Sequence, residues 1–354
     1  MARQTRPNKP SPASRERVDR SRKRAVGEGP TPGEPPPASE LRPAPPPAAV
    51  QERADTRCGY VALIGAPNAG KSTLLNRLVG SKLAIVSDKP QTTRTRILGV
   101  RNYPDGQVVY LDTPGIHRPL HRMNVRMVDT AVDTIDEVDV LGLVVDVAES
   151  AGSGDQFMID LIKKSSAPVF LLLNKIDLLR KSKLLPIMER YSTLAEFAEI
   201  IPLSAATGDN VDHLERAILA RLPDGEPRYP PDYLTDQPER FFAGEIVREQ
   251  VLRFTHAEIP FSSAVIIDRF EEPEPPSKLL RLYCTIVVER ESQKPIIIGR
   301  GGDMIKRIGT AAREELERFF QTKVFLDLHV RVKSEWREDE NVLSDIGLGH
   351  RDDS

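Results

Sequence analysis

The chain carries the segment Gly65-Ala66-Pro67-Asn68-Ala69-Gly70-Lys71-Ser72, which follows the pattern G-x-x-x-x-G-K-[ST]. The apolar run Tyr60–Ile64 before it predicts a buried strand, and a helical pattern begins near Lys71. The glycines allow backbone N–H groups to point at phosphate oxygens, and the helix N-terminus adds partial positive charge. This order of strand, loop and helix predicts a phosphate-binding loop in an α/β domain.

Two side chains of this loop are candidates for specific chemistry. A lysine at the position of Lys71 reaches the β- and γ-phosphates of a nucleotide, and the hydroxyl of Ser72 is a ligand for Mg²⁺. We expect a nucleotide to contact the whole loop and the residue after it, namely Gly65, Ala66, Pro67, Asn68, Ala69, Gly70, Lys71, Ser72 and Thr73.

Short β-rich apolar runs recur on both sides of this loop, each followed by a turn and a stretch with helical periodicity. They are Tyr60–Ile64, Val108–Leu111, Val140–Val145 and Val169–Leu173. Alternating strands and helices are typical of a mostly parallel sheet with helices on both faces.

The residues Asp112-Thr113-Pro114-Gly115 directly follow the predicted strand Val108–Leu111. An Asp-x-x-Gly turn by itself is more often structural, but this one lies at the strand edge where such sheets bind ligands, downstream of a phosphate loop. Asp112 is therefore placed to hold Mg²⁺, and the Gly115 N–H to sense the γ-phosphate. We expect Thr113 and Pro114 to line the nucleotide as well.

The residues after the next predicted strand favour guanine. A carboxylate at Asp177 accepts both N1–H and N2–H₂ of guanine, a donor pair that adenine does not present. Leaving those acceptors unmet in a buried site would be costly, so GTP is favoured over ATP. The base-binding candidates are Asn174, Lys175 and Asp177, with Ser204, Ala205 and Ala206 closing over the base.

A second α+β domain follows the proline-rich segment Arg221–Gln237. Its pattern predicts a helix (Glu239–Phe254), two strands (Ser262–Phe270 and Leu279–Glu289), a helical stretch broken by Gly299–Gly302, and a final strand (Lys323–Lys333). The order around Gly299-Arg300-Gly301-Gly302 resembles a type II KH domain, whose G-x-x-G loop clamps phosphates of single-stranded RNA. The RNA-binding candidates are Ile298, Gly299, Arg300, Gly301, Gly302, Lys306 and Arg307.

The overall composition excludes several classes of protein. With 354 residues, 39% of them apolar and 29% charged, the chain lacks an apolar run near the ~18 residues of a membrane helix, which excludes an integral membrane protein. Cys58 and Cys284 lie far apart without partners at metal-ligand spacing, so neither a disulfide framework nor a zinc site is indicated. A net charge of -2 leaves nucleic-acid binding to local features.

The nucleotide motifs have the order and spacing of the translation-factor class of GTPases. The pair Pro67-Asn68, the segment Gln91–Arg94 and the second domain narrow the resemblance to the Era GTPases of bacteria, from about Gly59 to about Gly347. The resemblance implies that Thr93, or alternatively Thr92, ligates Mg²⁺ only while the γ-phosphate is present. The implied magnesium ligands are Ser72, Thr93 and Asp112, and the residues implied in hydrolysis are Lys71, Thr93, Asp112 and Gly115.

The residue after the Asp-x-x-Gly motif departs from the Ras type. Ile116 stands where a glutamine would orient the attacking water, so we expect slow intrinsic hydrolysis. Era-like proteins share this substitution, and the resemblance implies that Asn68 helps to hold a K⁺ beside the β/γ bridge. A purely structural role of Asn68 in the loop is the alternative.

The resemblance implies a function as well as a fold. It implies a GTPase that binds the 3′ region of small-subunit ribosomal RNA and acts in maturation of the small ribosomal subunit. Two alternatives stay open, a non-hydrolysing RNA-binding assembly factor with structural GTP and a tRNA-modifying P-loop GTPase. We expect a cytoplasmic protein without an obligate oligomer, with peripheral association at the inner face of the cell membrane as an alternative location.

The predicted domain boundaries follow from these segments. The first residues hold nine Arg or Lys within 1–24 and twelve of the thirty prolines within 1–50, which predicts a disordered tail. The expected organisation is a tail at 1–57, a GTPase domain at 58–224, a linker at 225–237, a type II KH domain at 238–346 and a tail at 347–354.

Overall fold

The computed structural model describes residues 56–89, 91–115, 121–148, 153–273, 275 and 278–349. All of these belong to the unit Arg53–Ser354. The predicted N-terminal tail up to residue 55, Ile116 and residues 350–354 lie outside the described residues. None of the helices in the described ranges combines the length and the apolar character that crossing a bilayer requires.

The first sheet and its helices alternate along the chain. The strands are β1 (Arg57–Gly65), β2 (Ile97–Tyr103), β3 (Gly106–Asp112), β4 (Val140–Asp146), β5 (Val169–Asn174) and β6 (Glu199–Pro202). The helices are α1 (Lys71–Val79), α2 (Arg122–Asp136), α3 (Ser153–Ile162), α4 (Leu184–Ser192) and α5 (Val211–Leu219). The sheet order is β2-β3-β1-β4-β5-β6, with β2 antiparallel to β3 and the other pairs parallel.

Helices cover both faces of this sheet, and alternate residues of each strand point into the two cores. In β1, Val61 and Leu63 join the core on one face, while Ala62 and Ile64 join the core on the other. The mostly parallel sheet predicted from the apolar runs is confirmed. The antiparallel strand β2 was not predicted, because only its first four residues are buried and its polar end carries no continuous apolar run.

The second part of the chain forms a three-stranded sheet with helices packed on both of its faces. Its helices are α6 (Glu239–Phe254), α7 (Ile259–Ser262), α8 (Lys294–Ile298), α9 (Asp303–Phe320) and α10 (Glu340–Asp345), and its strands are β7 (Ser263–Glu271), β8 (Leu279–Val288) and β9 (Lys323–Val332). The order is β7-β8-β9, with β7 antiparallel and β9 parallel to β8. The α+β arrangement predicted for this half is confirmed, and α6 has the predicted bounds.

The proline-rich segment between the two sheets packs along the edge of the first one. The Val100 N–H donates to the Leu234 carbonyl at 2.9 Å, and the Gln107 side chain donates to the Tyr229 carbonyl at 2.8 Å. Tyr229 and Tyr233 stack with ring centroids 4.6 Å apart. The segment is therefore anchored to β2 and β3 over much of its length.

Helix α2 connects the two sheets through a separate apolar cluster. Its Met123 and Met127 are buried together with Ile266 and Val287 of the second sheet and with Trp336. Through this cluster, the helix that follows the Asp-x-x-Gly motif in the chain packs against the second sheet.

Candidate functional site

The phosphate loop lies between β1 and α1, and its last glycine is required by geometry. Gly70 is the N-cap of α1 with a φ of 98°, in the left-handed region that favours glycine. A Cβ at this position would also overlap the Asn174 side-chain nitrogen. The loop therefore approaches the end of β5 closely enough to join the phosphate and base regions.

Lys71 is enclosed by the loop that precedes it. Its ammonium donates to the Gly65 carbonyl at 3.1 Å and to the Ala66 carbonyl at 2.9 Å, and the residue is buried. Burial lowers the pKa of Lys71 to about 8, although the Asp112 carboxylate opposes this shift. Phosphate oxygens would replace these carbonyls as partners and favour the charged form.

Three oxygen-bearing side chains from separate segments meet beside Lys71. Asp112 Oδ2 accepts from Ser72 Oγ at 2.8 Å and from Thr93 Oγ1 at 3.0 Å, and the two hydroxyl oxygens are 2.7 Å apart. Asp112 is fully buried, and its Oδ1 has no hydrogen-bond partner among the described residues. Burial raises the pKa of Asp112, while Lys71, Ser72 and Thr93 act in the opposite direction. An unpartnered carboxylate oxygen beside two hydroxyls fits a hard cation such as Mg²⁺.

Of the two adjacent threonines, only Thr93 directs its hydroxyl to this carboxylate. Thr92 Oγ1 donates instead to the Lys89 carbonyl at 2.6 Å. Gly115 lies against the loop, since a Cβ there would come within 2.8 Å of Pro67 Cα. The Thr113 hydroxyl donates to the Leu63 carbonyl at 2.9 Å and so holds the Asp-x-x-Gly turn to β1.

The candidate base-binding residues are connected by Asn174. Its Nδ2 donates to the Ala69 carbonyl at 2.8 Å, and its Oδ1 accepts from the Ala205 N–H at 2.9 Å. Asp177 Oδ1 accepts from Ser204 Oγ at 2.6 Å. These contacts bring the phosphate loop, the end of β5 and the segment after β6 to one edge of the sheet.

A cavity of about 350 Å³ lies between the phosphate loop and residues 85–88 and 91–93. Its lining includes Asn68, Lys71, Ser72, Thr93 and Gly115. The Asn68 Nδ2 donates to the Asp88 carbonyl at 2.8 Å across one side of it. The volume is in the range typical of small-molecule sites.

Two residues that support the base region were not predicted from the sequence. Asp146, at the end of β4, pairs with the Lys175 ammonium. Arg77 of α1 donates to the carbonyls of Ala205 and Ala206, each at 2.6 Å. Asp146 ends a parallel strand at the same edge as Asp112, a signal that could have identified it. Arg77 has no such local signal.

The G-x-x-G loop between α8 and α9 is open to solvent. Gly301 and Gly302 have φ values of 58° and 84°, and a Cβ at either would meet nothing within 4 Å. Arg300 and Lys306 are exposed, while Ile298 is half-buried. Arg307 is exposed as well, with its guanidinium 5.0 Å from the centre of the Phe254 ring.

A groove of about 300 Å³ lies beside the first turns of α9. Its lining combines apolar side chains with cations, and consists of Ile305, Lys306, Gly309, Thr310, Arg313, Leu326 and Leu328. An open small-residue loop beside such a groove fits unstacked bases and their phosphates.

Comparison with protein-family models supports both halves of this description. Residues 60–175 match the family described as a 50S ribosome-binding GTPase, and residues 258–337 match the KH domain family. The two matches cover the phosphate loop, Asp112 and Asn174 in the first half and the G-x-x-G loop in the second.

Relatives and solved structures match across both halves together. The chain is 50% identical over 291 residues to GTPase Era of Geobacter metallireducens, a match that covers 82% of this chain and 97% of that protein. It is 49% identical over 291 residues to GTPase Era of Syntrophus aciditrophicus, a match that covers 82% of this chain and 95% of that protein. A crystal structure of an Aquifex aeolicus Era variant bound to GDP·AlF4⁻ matches with a TM-score of 0.80 and 40% identity. A complex of Era with MgGDPNP and nucleotides 1506–1542 of 16S ribosomal RNA matches with a TM-score of 0.80 and 41% identity. Each match covers 83% of this chain and 100% of the other. The chain therefore belongs to the GTPase Era family.

Proposed function

We propose that this GTPase binds GTP with Mg²⁺ in the cavity between the phosphate loop and residues 85–88 and 91–93. The observation that supports this proposal is that Ser72 and Thr93 contact the buried Asp112 carboxylate beside Lys71, while its Oδ1 has no partner among the described residues. The Era structures with MgGDPNP and with GDP·AlF4⁻ support the same ligands. When bound, Mg²⁺ neutralises charge on the phosphate oxygens.

Each side chain then has a distinct role in hydrolysis. Lys71 stabilises negative charge on the β- and γ-phosphates, and Thr93 couples residues 91–94 to the γ-phosphate side of the site. Gly115 lines the cavity and packs against Pro67 of the phosphate loop, which supports a contact of its N–H with the γ-phosphate. The proposed nucleotide-binding set is the one derived from the sequence: residues 65–73 and 112–115 with Asn174, Lys175, Asp177, Ser204, Ala205 and Ala206.

We also propose that the second half binds the 3′ region of small-subunit ribosomal RNA during maturation of the small ribosomal subunit. The open loop Gly299–Gly302, the exposed Lys306 and the adjacent groove support a single-stranded ligand. The structure of Era with 16S ribosomal RNA nucleotides supports this identity. A ribosomal RNA partner of this kind implies a cytoplasmic protein.

The proposed GTPase domain covers residues 58–224 and the proposed KH domain residues 238–346, with a linker at 225–237 between them.

A multiple-turnover assay tests hydrolysis directly. We expect phosphate release to exceed the enzyme concentration many times over in the presence of GTP, Mg²⁺ and an RNA carrying the 3′ end of small-subunit ribosomal RNA. Release that stops at or below one phosphate per protein would favour the alternative in which GTP is a structural ligand. Asp112→Asn serves as the inactive control, because it removes the charge that the cation site needs.

The low pKa of Lys71 predicts proton uptake when nucleotide binds. In the nucleotide-free protein the pKa is about 8, and phosphate oxygens raise it, so the bound state holds more protons above pH 8. GTP affinity should therefore fall as the pH rises above 8. Calorimetry at pH 8.5 in buffers of different ionisation enthalpy should show uptake of a substantial fraction of a proton, which Lys71→Met should remove.

The Asn68 side chain supports a proposal for K⁺. Its Nδ2 donates to the Asp88 carbonyl at the cavity wall, so the Asn68 side-chain oxygen is the atom that would ligate an alkali cation. We expect K⁺ to accelerate hydrolysis over Na⁺, and Asn68→Ala to abolish the difference. Equal rates in the two salts for the unmodified protein would leave Asn68 with a structural role only.

A further inference from the structure

One arginine of the second domain reaches the segment that carries Thr93. Arg248 of α6 is 2% exposed, and its guanidinium donates to the Thr92 carbonyl and, at 3.4 Å, to the Gln91 carbonyl. Glu245, one turn earlier, holds the same guanidinium with two contacts, Nε to Oε1 at 2.7 Å and Nη2 to Oε2 at 2.6 Å. Because the Arg248 guanidinium is planar and makes two hydrogen bonds to Glu245, its orientation toward the Thr92 and Gln91 carbonyls is fixed.

The contact of Arg248 with the Thr92 carbonyl affects the orientation of Thr93. The Thr92 carbonyl belongs to the peptide bond that leads into Thr93, so holding it orients the backbone on which the Thr93 hydroxyl depends. That hydroxyl lies 3.0 Å from Asp112 Oδ2. A chain of direct contacts thus runs from Glu245 through Arg248 and the Thr92–Thr93 peptide to Asp112.

The neighbouring Arg94 anchors the same segment from its other end. Its side chain enters the second domain, where Nη2 donates to the Ser263 carbonyl at 3.0 Å and the guanidinium lies 5.6 Å from the Trp336 ring centre. Residues 91–94 are therefore held by the second domain on both sides of Thr93. Arg94 anchors the segment to the second domain, whereas Arg248 contacts the Thr92–Thr93 peptide, which orients the Thr93 side chain.

We propose that Arg248 is a positioning residue for GTP hydrolysis, acting from the second domain through the Thr92 and Gln91 carbonyls to align Thr93. This inference rests on the proposed function of the nucleotide site. If Arg248 aligns Thr93, its loss should affect GTP and GDP binding differently, because Thr93 is needed only when the γ-phosphate is present. Loss of the alignment should weaken binding of GTP analogues and slow hydrolysis, and should leave GDP binding unchanged.

Two variants test this while limiting damage to the fold. The double change Glu245→Gln with Arg248→Met keeps the volume and leaves no buried carboxylate unpaired. Its affinity for a non-hydrolysable GTP analogue with Mg²⁺ and its single-turnover rate should each fall about tenfold, the effect of losing one charge-assisted hydrogen bond. Arg248→Lys keeps the cation but not the fork, and should retain an intermediate affinity.

The matched control is Arg253→Ala, which removes an exposed arginine from the same helix and should change none of these values. Titration of GDP and of the GTP analogue, with and without Mg²⁺, separates the outcomes. Equal loss of GDP and GTP affinity in the double variant, or no loss of either, would overturn the positioning role. Absence of hydrolysis by the unmodified protein would instead refute the proposed function.

Discussion

Replacing Asp177 with Asn should convert the protein from a GTP-binding to a xanthosine triphosphate-binding protein. The carboxamide presents a donor where guanine N2 also donates, whereas xanthine has a carbonyl at that position. GTP affinity should fall on the order of 10³-fold, since the change both removes a charged acceptor pair and opposes two donors. Competition of labelled GTP with unlabelled GTP and xanthosine triphosphate measures both affinities.

The fold should tolerate this change, because Asn can keep the oxygen that accepts from Ser204 Oγ at 2.6 Å. Recovery of near-normal affinity with xanthosine triphosphate would show that the phosphate loop and Lys71 still function. Asp209→Asn is the matched control, an equal charge change at an exposed position shortly after Ser204. Unchanged GTP affinity in Asp177→Asn would contradict the base assignment.

The second large effect is expected at the G-x-x-G loop, where Arg300→Asp together with Gly301→Asp should remove RNA binding. The new carboxylates would repel phosphates and obstruct close approach of the RNA backbone. A Cβ at Gly301 meets nothing within 4 Å, so protein packing does not oppose the change, and its φ of 58° is one that Asp adopts more readily than most residues. Nucleotide affinity should be unaltered.

A control variant with the same change of charge at another site distinguishes local repulsion of RNA phosphates at the loop from an effect of the protein's net charge. Lys181→Asp with Lys183→Asn also lowers the net charge by three, at exposed positions of the first domain. Filter binding of an oligonucleotide matching the 3′ end of small-subunit ribosomal RNA should fall at least a hundredfold for the loop variant and little for this control. Undiminished binding by the loop variant would reject the clamp.

Salt dependence and sequence preference refine this test. For the unmodified protein, the log–log slope of affinity against salt should be about -0.7 per neutralised phosphate, with roughly two to four phosphates engaged. The matching oligonucleotide should bind more tightly than a scrambled one of equal composition. Indifference to sequence would reject the ribosomal RNA assignment and leave a general single-strand-binding surface.

Most of the fold and most motifs of the candidate nucleotide site could be predicted from local sequence patterns. A strand followed by a glycine-rich loop and a helix places Lys71 and Ser72 by short-range geometry alone, and Asp112 and Asn174 by their positions at strand ends. The 18-residue helix α9 shows its inward face in the spacing of Ile308, Ala312 and Leu316, all buried as that period predicts. The strand β2 was missed because its second half is polar and largely exposed, so the strand carries no continuous apolar run.

The amino-acid sequence by itself therefore determined the α/β and α+β architecture, the phosphate loop and the choice of guanine, because each follows from a local pattern: the apolar periodicity of single strands and helices, the glycine-rich loop, and the carboxylate at Asp177. Tertiary structure decided which threonine faces Asp112, how Arg77 holds the segment at Ala205, and that Arg248 reaches the Thr92 carbonyl. These contacts join residues 19, 128 and 156 positions apart. Local sequence periodicity cannot predict contacts between residues this far apart, since they form only when the packed sheets bring distant segments within hydrogen-bonding distance.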